Sequence, residues 1–228
     1  MGNFGYTRNE KYHSCYFKHF DNSYIILLMY VDDMLIVESS IEEIKNLKRK
    51  LSKQFEMKDL GGAKKILGMR ITRDRAKGIL KLSQAEHVRK VLSRFNMDKA
   101  KPISTPLGSH FKLCKDWSPK TYLEFEHMSK VPYASAIGSL MYVMVYTRSN
   151  IAHVVGIVSR YISYPGKQHC ETVKWTMRYL GGTSNTCLCF IASDLKLERF
   201  VDAYLASDKD SRKSTTGFVF ILDGTKVS

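Results

Sequence analysis

The chain has 228 residues, 44% of them hydrophobic and 25% charged, the balance of a globular protein with room for one large or two small domains. Its longest apolar stretch, residues 131–146, is broken by Pro132, Ser135 and Ser139 and falls short of a membrane span. The formal net charge of +14 is concentrated: residues 45–101 hold 18 Lys and Arg against five Asp and Glu, the electrostatic footprint of a protein that meets a phosphate backbone.

In chain order, the first 15 residues carry no apolar segment of the signal-peptide kind. Residues 12–17, YHSCYF, read as a strand with no partner before it. Residues 24–39, YIILLMYVDDMLIVES, hold two apolar runs around Asp32-Asp33. The runs read as two buried strands and the acid pair as the tip of their hairpin. Adjacent carboxylates repel unless a cation sits beside them, and Mg²⁺ is held by as few as one or two protein carboxylates. Two-metal phosphoryl transfer uses such a clamp on the attacking and leaving oxygens. The plainer alternative is a surface turn that happens to be acidic.

Ser40 and Glu43 form a capping-box pattern for a helix running to about Phe55. Its inward stripe is Ile41, Ile44, Leu47, Leu51 and Phe55. Residues 65–71 read as a strand interrupted by Gly68, hence a bulge or a close backbone approach. After a polar turn comes a strand at 79–82, then a second capping-box pattern, Ser83 to Glu86. The helix that follows turns Ala85, Val88, Val91, Leu92 and Phe95 inward and Arg89, Lys90 and Arg94 outward. Residues 98–130, with Pro102, Pro106 and Pro119, read as a loop-rich connector pinned by Phe111, Leu113 and Trp117. Helices are predicted at about 133–146, 150–162 and 168–180, the last stopped by Gly181-Gly182. Strands are predicted at 187–191, 198–204 and 215–222, with a turn at Asp223-Gly224. The five cysteines have no Cys-x-x-Cys spacing, as expected of reduced intracellular thiols.

Tyr30-Val31-Asp32-Asp33 between long apolar strands resembles the catalytic hairpin of a reverse transcriptase. Ten blocks, in order, resemble the distal part of the Pol polyprotein of copia-type LTR retrotransposons: LLMYVDDMLIV, FEMKDLG, ILGMRI, LSQAEHVRKVLSRFNM, STPL, VPYASAIGSLMYVMVYTR, NIAHVVG, YPGKQH, VKWTMRYLGGT and DSRKSTTGFVF. The resemblance implies an α+β chain: a partial palm with its hairpin at 1–58, primer-grip strands and a thumb helix at 59–100, a helical connection at 101–196, and the start of an incomplete ribonuclease H-like sheet at 197–228. Asp32 and Asp33 fall on the two palm carboxylates and Asp202 on the first metal-ligating acid of the ribonuclease H site, so all three are candidate catalytic and Mg²⁺-binding residues. Tyr30 and Val31 would support the primer end and template pair. Leu67, Gly68 and Met69 fall on the primer-grip strand, and Arg89, Lys90 and Arg94 would follow the duplex.

The partner so implied is an RNA/DNA primer–template duplex bound without sequence preference, with no membrane. The setting is intracellular, in cytoplasmic virus-like particles or the nucleus. The chain departs from the family pattern at Glu38 (usually Gly), at Ser149-Asn150 (usually Pro-Asp), at Gly181 (usually Lys) and across residues 200–208, which lack an acid, a Trp and a Gly. Asp21 is the only acid in residues 11–31 and sits beside a turn. The third palm carboxylate, the fingers and the remaining ribonuclease H acids are therefore expected outside this chain. Two functions fit: a piece of an RNA-directed DNA polymerase with the start of a ribonuclease H, or a nucleic-acid-binding remnant without catalysis.

Overall fold

The computed structural model describes the chain apart from residues 1–4, 21–22, 32, 39, 192–195, 205–207, 209, 223 and 228. It divides into two compact units, Met1–Ala63 and Lys64–Ser228. Among the described residues the architecture is mixed α and β, with six α-helices and three antiparallel sheets.

The first unit is a four-stranded sheet in sequential order: β1 (Thr7–Arg8), β2 (Cys15–Phe20), β3 (Ser23–Tyr30) and β4 (Asp33–Val37). The strand predicted from residue 12 begins at Cys15 and does have a partner, since Thr7 pairs with Phe17 and Arg8 with Tyr16. Residues before Cys15 are drawn into a turn, where Asn9 Oδ1 accepts the backbone N–H of Lys11 (3.0 Å) and Tyr12 (2.9 Å). One face of β3 is fully buried through Ile25 and Leu27, which pack against Leu47 and Leu51 of helix α1 (Ile41–Ser52). The strands are thus covered on one side only, and alternation decides which side chains are buried. Ser40 Oγ accepts the Glu43 N–H (3.4 Å) as expected of an N-cap. The Ser40 N–H, however, goes to Glu38 Oε1 (3.1 Å). The helix ends at Ser52, short of Phe55, and the two ends of its predicted stripe, Ile41 and Phe55, are exposed.

The second unit is built on a helical core. Helices α2 (Ala85–Arg94), α3 (Tyr122–Ser129), α4 (Tyr133–Tyr146), α5 (Ala152–Ser159) and α6 (Lys167–Gly182) are joined by 3-10 turns at Lys115–Trp117 and Ser149–Ile151. Val88, Val91 and Leu92 of α2 meet Ile137, Leu140 and Val143 of α4, with Val154 and Val158 of α5 and Val173, Met177 and Leu180 of α6 completing the cluster. The stretch expected to be a connector contains α3, whose Thr121 and Glu124 make a reciprocal capping box. Helix α6 ends at Gly182, as the glycine pair predicts, and Gly182 lies against Pro102. The end of α6 is held by Arg148, which is buried. Its guanidinium donates to Thr183 O (2.7 Å) and Thr183 Oγ1 (2.6 Å). A cation at the negative end of the helix dipole is favourable there.

Around this core, β5 (Lys65–Ile66), β6 (Met69–Asp74), β7 (Ile79–Ser83) and β8 (Leu188–Ile191) form a sheet in sequential order. The predicted glycine-interrupted strand is a tight hairpin: Lys65 pairs with Arg70 and Ile66 with Met69, around Leu67 (φ 47°) and Gly68 (φ 69°). The 187–191 segment pairs with β7, more than 100 positions earlier, rather than with the strands that follow it. The third sheet has the order β11-β10-β9, from β9 (Leu197–Tyr204), β10 (Thr215–Leu222) and β11 (Thr225–Lys226). The turn predicted at Asp223-Gly224 lies partly outside the described residues, with Leu222 pairing with Thr225. Within the second unit Tyr161 stacks on the fully buried His169 (4.0 Å between centroids, 10° between planes). Tyr161 also donates to Asp210 Oδ2 (2.9 Å), which ties the β9–β10 loop to the helices.

Candidate functional site

The acidic hairpin of the first unit owes its geometry to register. Tyr30 pairs with Asp33, so Asp33 is the first residue of β4, and Val31 (φ 50°) stands at the apex. Asp32, the acid expected to be the main metal ligand, lies outside the described residues. Paired residues share a face. Ile25 and Leu27 are buried on the α1 face, so Tyr30 and Asp33 stand on the opposite one, with Leu28, Leu35 and Val37. Tyr30 is 51% exposed and Val31 87%, and Asp33 is exposed as well. The end of this sheet therefore offers a carboxylate and an aromatic ring side by side to solvent. A single carboxylate oxygen is the donor type Mg²⁺ accepts, and one or two suffice when water and phosphate complete its shell. Among the described residues no three His, Cys, Asp or Glu come together as a metal-holding group.

In the second unit the other predicted residues gather on β5–β6 and α2. At the apex of the hairpin Leu67 is half-buried and Gly68 exposed, while the Met69 side chain is buried. That leaves mainly backbone for a ligand to touch. Arg89, Lys90 and Arg94 lie exposed on α2, and none of them is in an ion pair within the described residues. Their neighbours differ. Arg70 Nη2 and Lys65 Nζ both reach Glu86 (2.8 and 3.5 Å), and these two cations, Arg70 foremost, hold the Glu86 carboxyl below its usual range. The predicted capping box at 83–86 is therefore absent. Glu86 serves the hairpin, Gln84 occupies the cap position without a side-chain bond to the helix's first turn, and Ser83 Oγ accepts the Ala85 N–H (3.3 Å).

Asp202 lies exposed on β9 opposite Gly217, with Oδ1 accepting the Ala203 N–H (2.9 Å). It borders a groove of about 470 Å³ between α5 and the third sheet, lined also by His153, Arg160 and Phe200.

Several residues on this side of the second unit have no local signal in the sequence. Tyr142 of α4 donates to Leu67 O (2.6 Å) across 75 positions. His87 of α2 packs against the Tyr142 ring (4.7 Å). Burial, with smaller contributions from Arg94 and Lys90, pushes the His87 imidazole below its ordinary value. Buried Gln84 accepts from Thr147 Oγ1 (2.6 Å). The helix itself is predicted at about 133–146, but no local pattern tells which distant groups Tyr142 meets.

Residues 1–109 match the family model described as reverse transcriptase (RNA-dependent DNA polymerase). The chain is 55% identical over 93% of its length to the retrovirus-related Pol polyprotein from transposon TNT 1-94 of Nicotiana tabacum, covering 16% of that protein. It is 32% identical over 90% of its length to the Pol polyprotein from transposon RE1 of Arabidopsis thaliana, covering 14% of it. A Saccharomyces cerevisiae protein named for transposon Ty5-1 is 31% identical over 98% of the chain, which spans 71% of that relative. The chain thus spans about one sixth of the tobacco polyprotein. No solved structure matches it.

Proposed function

Because this chain belongs to the reverse transcriptase family of copia-type retrotransposon Pol polyproteins, we propose that it holds an RNA/DNA primer–template duplex for RNA-directed DNA synthesis. In this reading residues 1–58 are palm, 59–100 primer grip and thumb, 101–196 connection, and 197–228 ribonuclease H sheet. The observation that carries it is the Tyr30–Asp33 register, which sets an acid and an aromatic ring on the uncovered face of the first sheet. A primer terminus could stack on the ring while the carboxylate would hold the cation that its phosphate needs.

Asp33, together with Asp32, would hold Mg²⁺, and Asp202 would serve the ribonuclease H site in the same way. When bound, Mg²⁺ neutralises charge that develops on the transferring phosphoryl oxygens. The chain's own residues do the holding. Arg89, Lys90 and Arg94 neutralise backbone phosphates, and the Leu67–Gly68 apex lets the backbone come close. These contacts read no bases, so binding is independent of sequence.

A second reading is duplex binding without nucleotide addition. It is favoured by the sequence before the hairpin, where Asp21 is the only acid in residues 11–31, since two-metal transfer draws carboxylates from more than one side of the ions. Primer extension with Mg²⁺ or Mn²⁺ separates the two. Extension by the native chain that is lost in Asp32→Asn and Asp33→Asn supports polymerisation. Salt-sensitive duplex binding without extension supports the second reading. Absence of duplex binding overturns both.

A further inference from the structure

The β5–β6 hairpin turns through two residues of positive φ, Leu67 at 47° and Gly68 at 69°. This is type I′ geometry, for which Asn-Gly and Gly-Gly are the usual choices. Leucine at the first position is strained, because its Cβ crowds the backbone in the left-handed region. The group that holds it comes from the helical core. Tyr142 Oη donates to the Leu67 carbonyl at 2.6 Å, and the Tyr142 ring is itself packed between His87 of α2 (4.7 Å) and Tyr146 (4.8 Å). A β-carbon at Gly68 would lie 3.3 Å from the Tyr142 hydroxyl, so glycine serves both the backbone angle and the close approach of the phenol. Hairpin apex, α2 and α4 therefore meet at one side chain.

We propose that Tyr142 is a positioning residue that latches the Leu67–Gly68 apex to α2, so that the apex backbone and the cations Arg89, Lys90 and Arg94 form one preorganised duplex-binding surface. The inference rests on the reading of this face as the duplex-binding one. Its physical basis is entropic: an apex already fixed in place loses little freedom when duplex binds, whereas a free one must be ordered at that moment. The latch contributes no phosphate contact of its own. Removing it lowers affinity while leaving the number of released counterions unchanged.

The test uses the full chain and a fluorescently labelled RNA–DNA hybrid, with anisotropy measured across a salt series. Tyr142→Phe removes only the hydroxyl. It should weaken hybrid binding about three- to tenfold, the loss of one hydrogen bond, with the slope of log affinity on log salt unaltered. Amide exchange at Gly68 and Met69 should quicken, and the thermal midpoint should stay within a few degrees of the native one. In a Leu67→Asn background, whose side chain tolerates the left-handed region unaided, the Tyr142→Phe penalty should shrink to less than about twofold. Equal affinity of native and Tyr142→Phe chains overturns the inference while leaving the duplex reading standing. So does an equal penalty in both backgrounds, the mark of a merely structural tyrosine. A native chain that binds no hybrid overturns the inference and the reading together.

Discussion

Arg148 shows at the residue scale how one substitution changes a buried charge. Its guanidinium is buried and, among the described residues, bonds neutral groups: Thr183 O and Oγ1 and, at 3.3 Å, Asn150 Oδ1. Asn150 stands where the resembled family has Asp, which would supply a counter-charge to that cation. Asn150→Asp should therefore raise stability by about 1 kcal/mol, the margin of a charged over a neutral hydrogen bond, or about 2–4 °C in thermal midpoint for a chain of this size. The two desolvated histidines act in the opposite sense when protonated. Burial lowers the imidazole pKa of both His87 and His169. His169 is neutral with the proton on Nε2, since Nδ1 accepts the Gly166 N–H (2.9 Å) and Nε2 faces Cys114 O (3.1 Å). The folded state then binds fewer protons than the unfolded one as pH drops below about 6.5. Their contribution is complete above that value and is lost on acidification through it towards the folded pKa. Denaturant midpoints measured from pH 8 to pH 5 should fall. His87→Phe, which keeps a ring against Tyr142 and removes a buried nitrogen without a hydrogen-bond partner, should flatten part of that fall.

Elements were legible where their reason was local. The alternation of Ile25 and Leu27 and the Ser40 cap locate β3 and α1, and Val88, Val91 and Leu92 locate α2. Where the reason was distant, local reading misled. Gly68 signals a bulge as readily as a turn until Tyr142 is seen to hold the apex, and the Ser83–Glu86 capping pattern gives way to the ion pairs of Glu86 with Lys65 and Arg70. Gly166 is a contrasting glycine, needed for space: a β-carbon there would overlap the Trp117 carbonyl oxygen. Gly166→Ala should cost about 1–3 kcal/mol through forced backbone displacement, read as a lowered denaturant midpoint with unchanged m-value. The third sheet is the weakest element by exposure, with Leu197, Phe200, Val201 and Phe218 all more than half exposed. Limited proteolysis should cut within residues 197–226 before it touches α4 or α6, whose core faces are buried. Resistance of that segment at protease levels that cut α4 would contradict this assignment.

For the whole molecule, the charge excess of residues 45–101 is not all available to a ligand. Lys48 is taken by Asp59 (2.6 Å), and Lys65 and Arg70 by Glu86. Exposed α2 cations remain, and each phosphate they neutralise adds about 0.9 to the magnitude of the salt slope. Neutralising Arg89, Lys90 and Arg94 together to Gln should lower that magnitude by about 2–3, with hybrids of any sequence weakened alike. A slope equal to that of the native chain would remove α2 from the interface. The amino-acid sequence by itself determined the family, the acidic hairpin and the helices with clear apolar stripes, because motif order and side-chain period are properties of the chain read locally. Only the tertiary structure decided that Asp33 pairs with Tyr30 on the uncovered face and that β8 joins β7 across more than 100 positions. It also decided that Glu86 neutralises cations rather than capping a helix, and that Tyr142 holds a strained leucine. Each of those depends on which distant groups meet, and hydrogen bonding and burial act on proximity in space, which no spacing along the chain encodes.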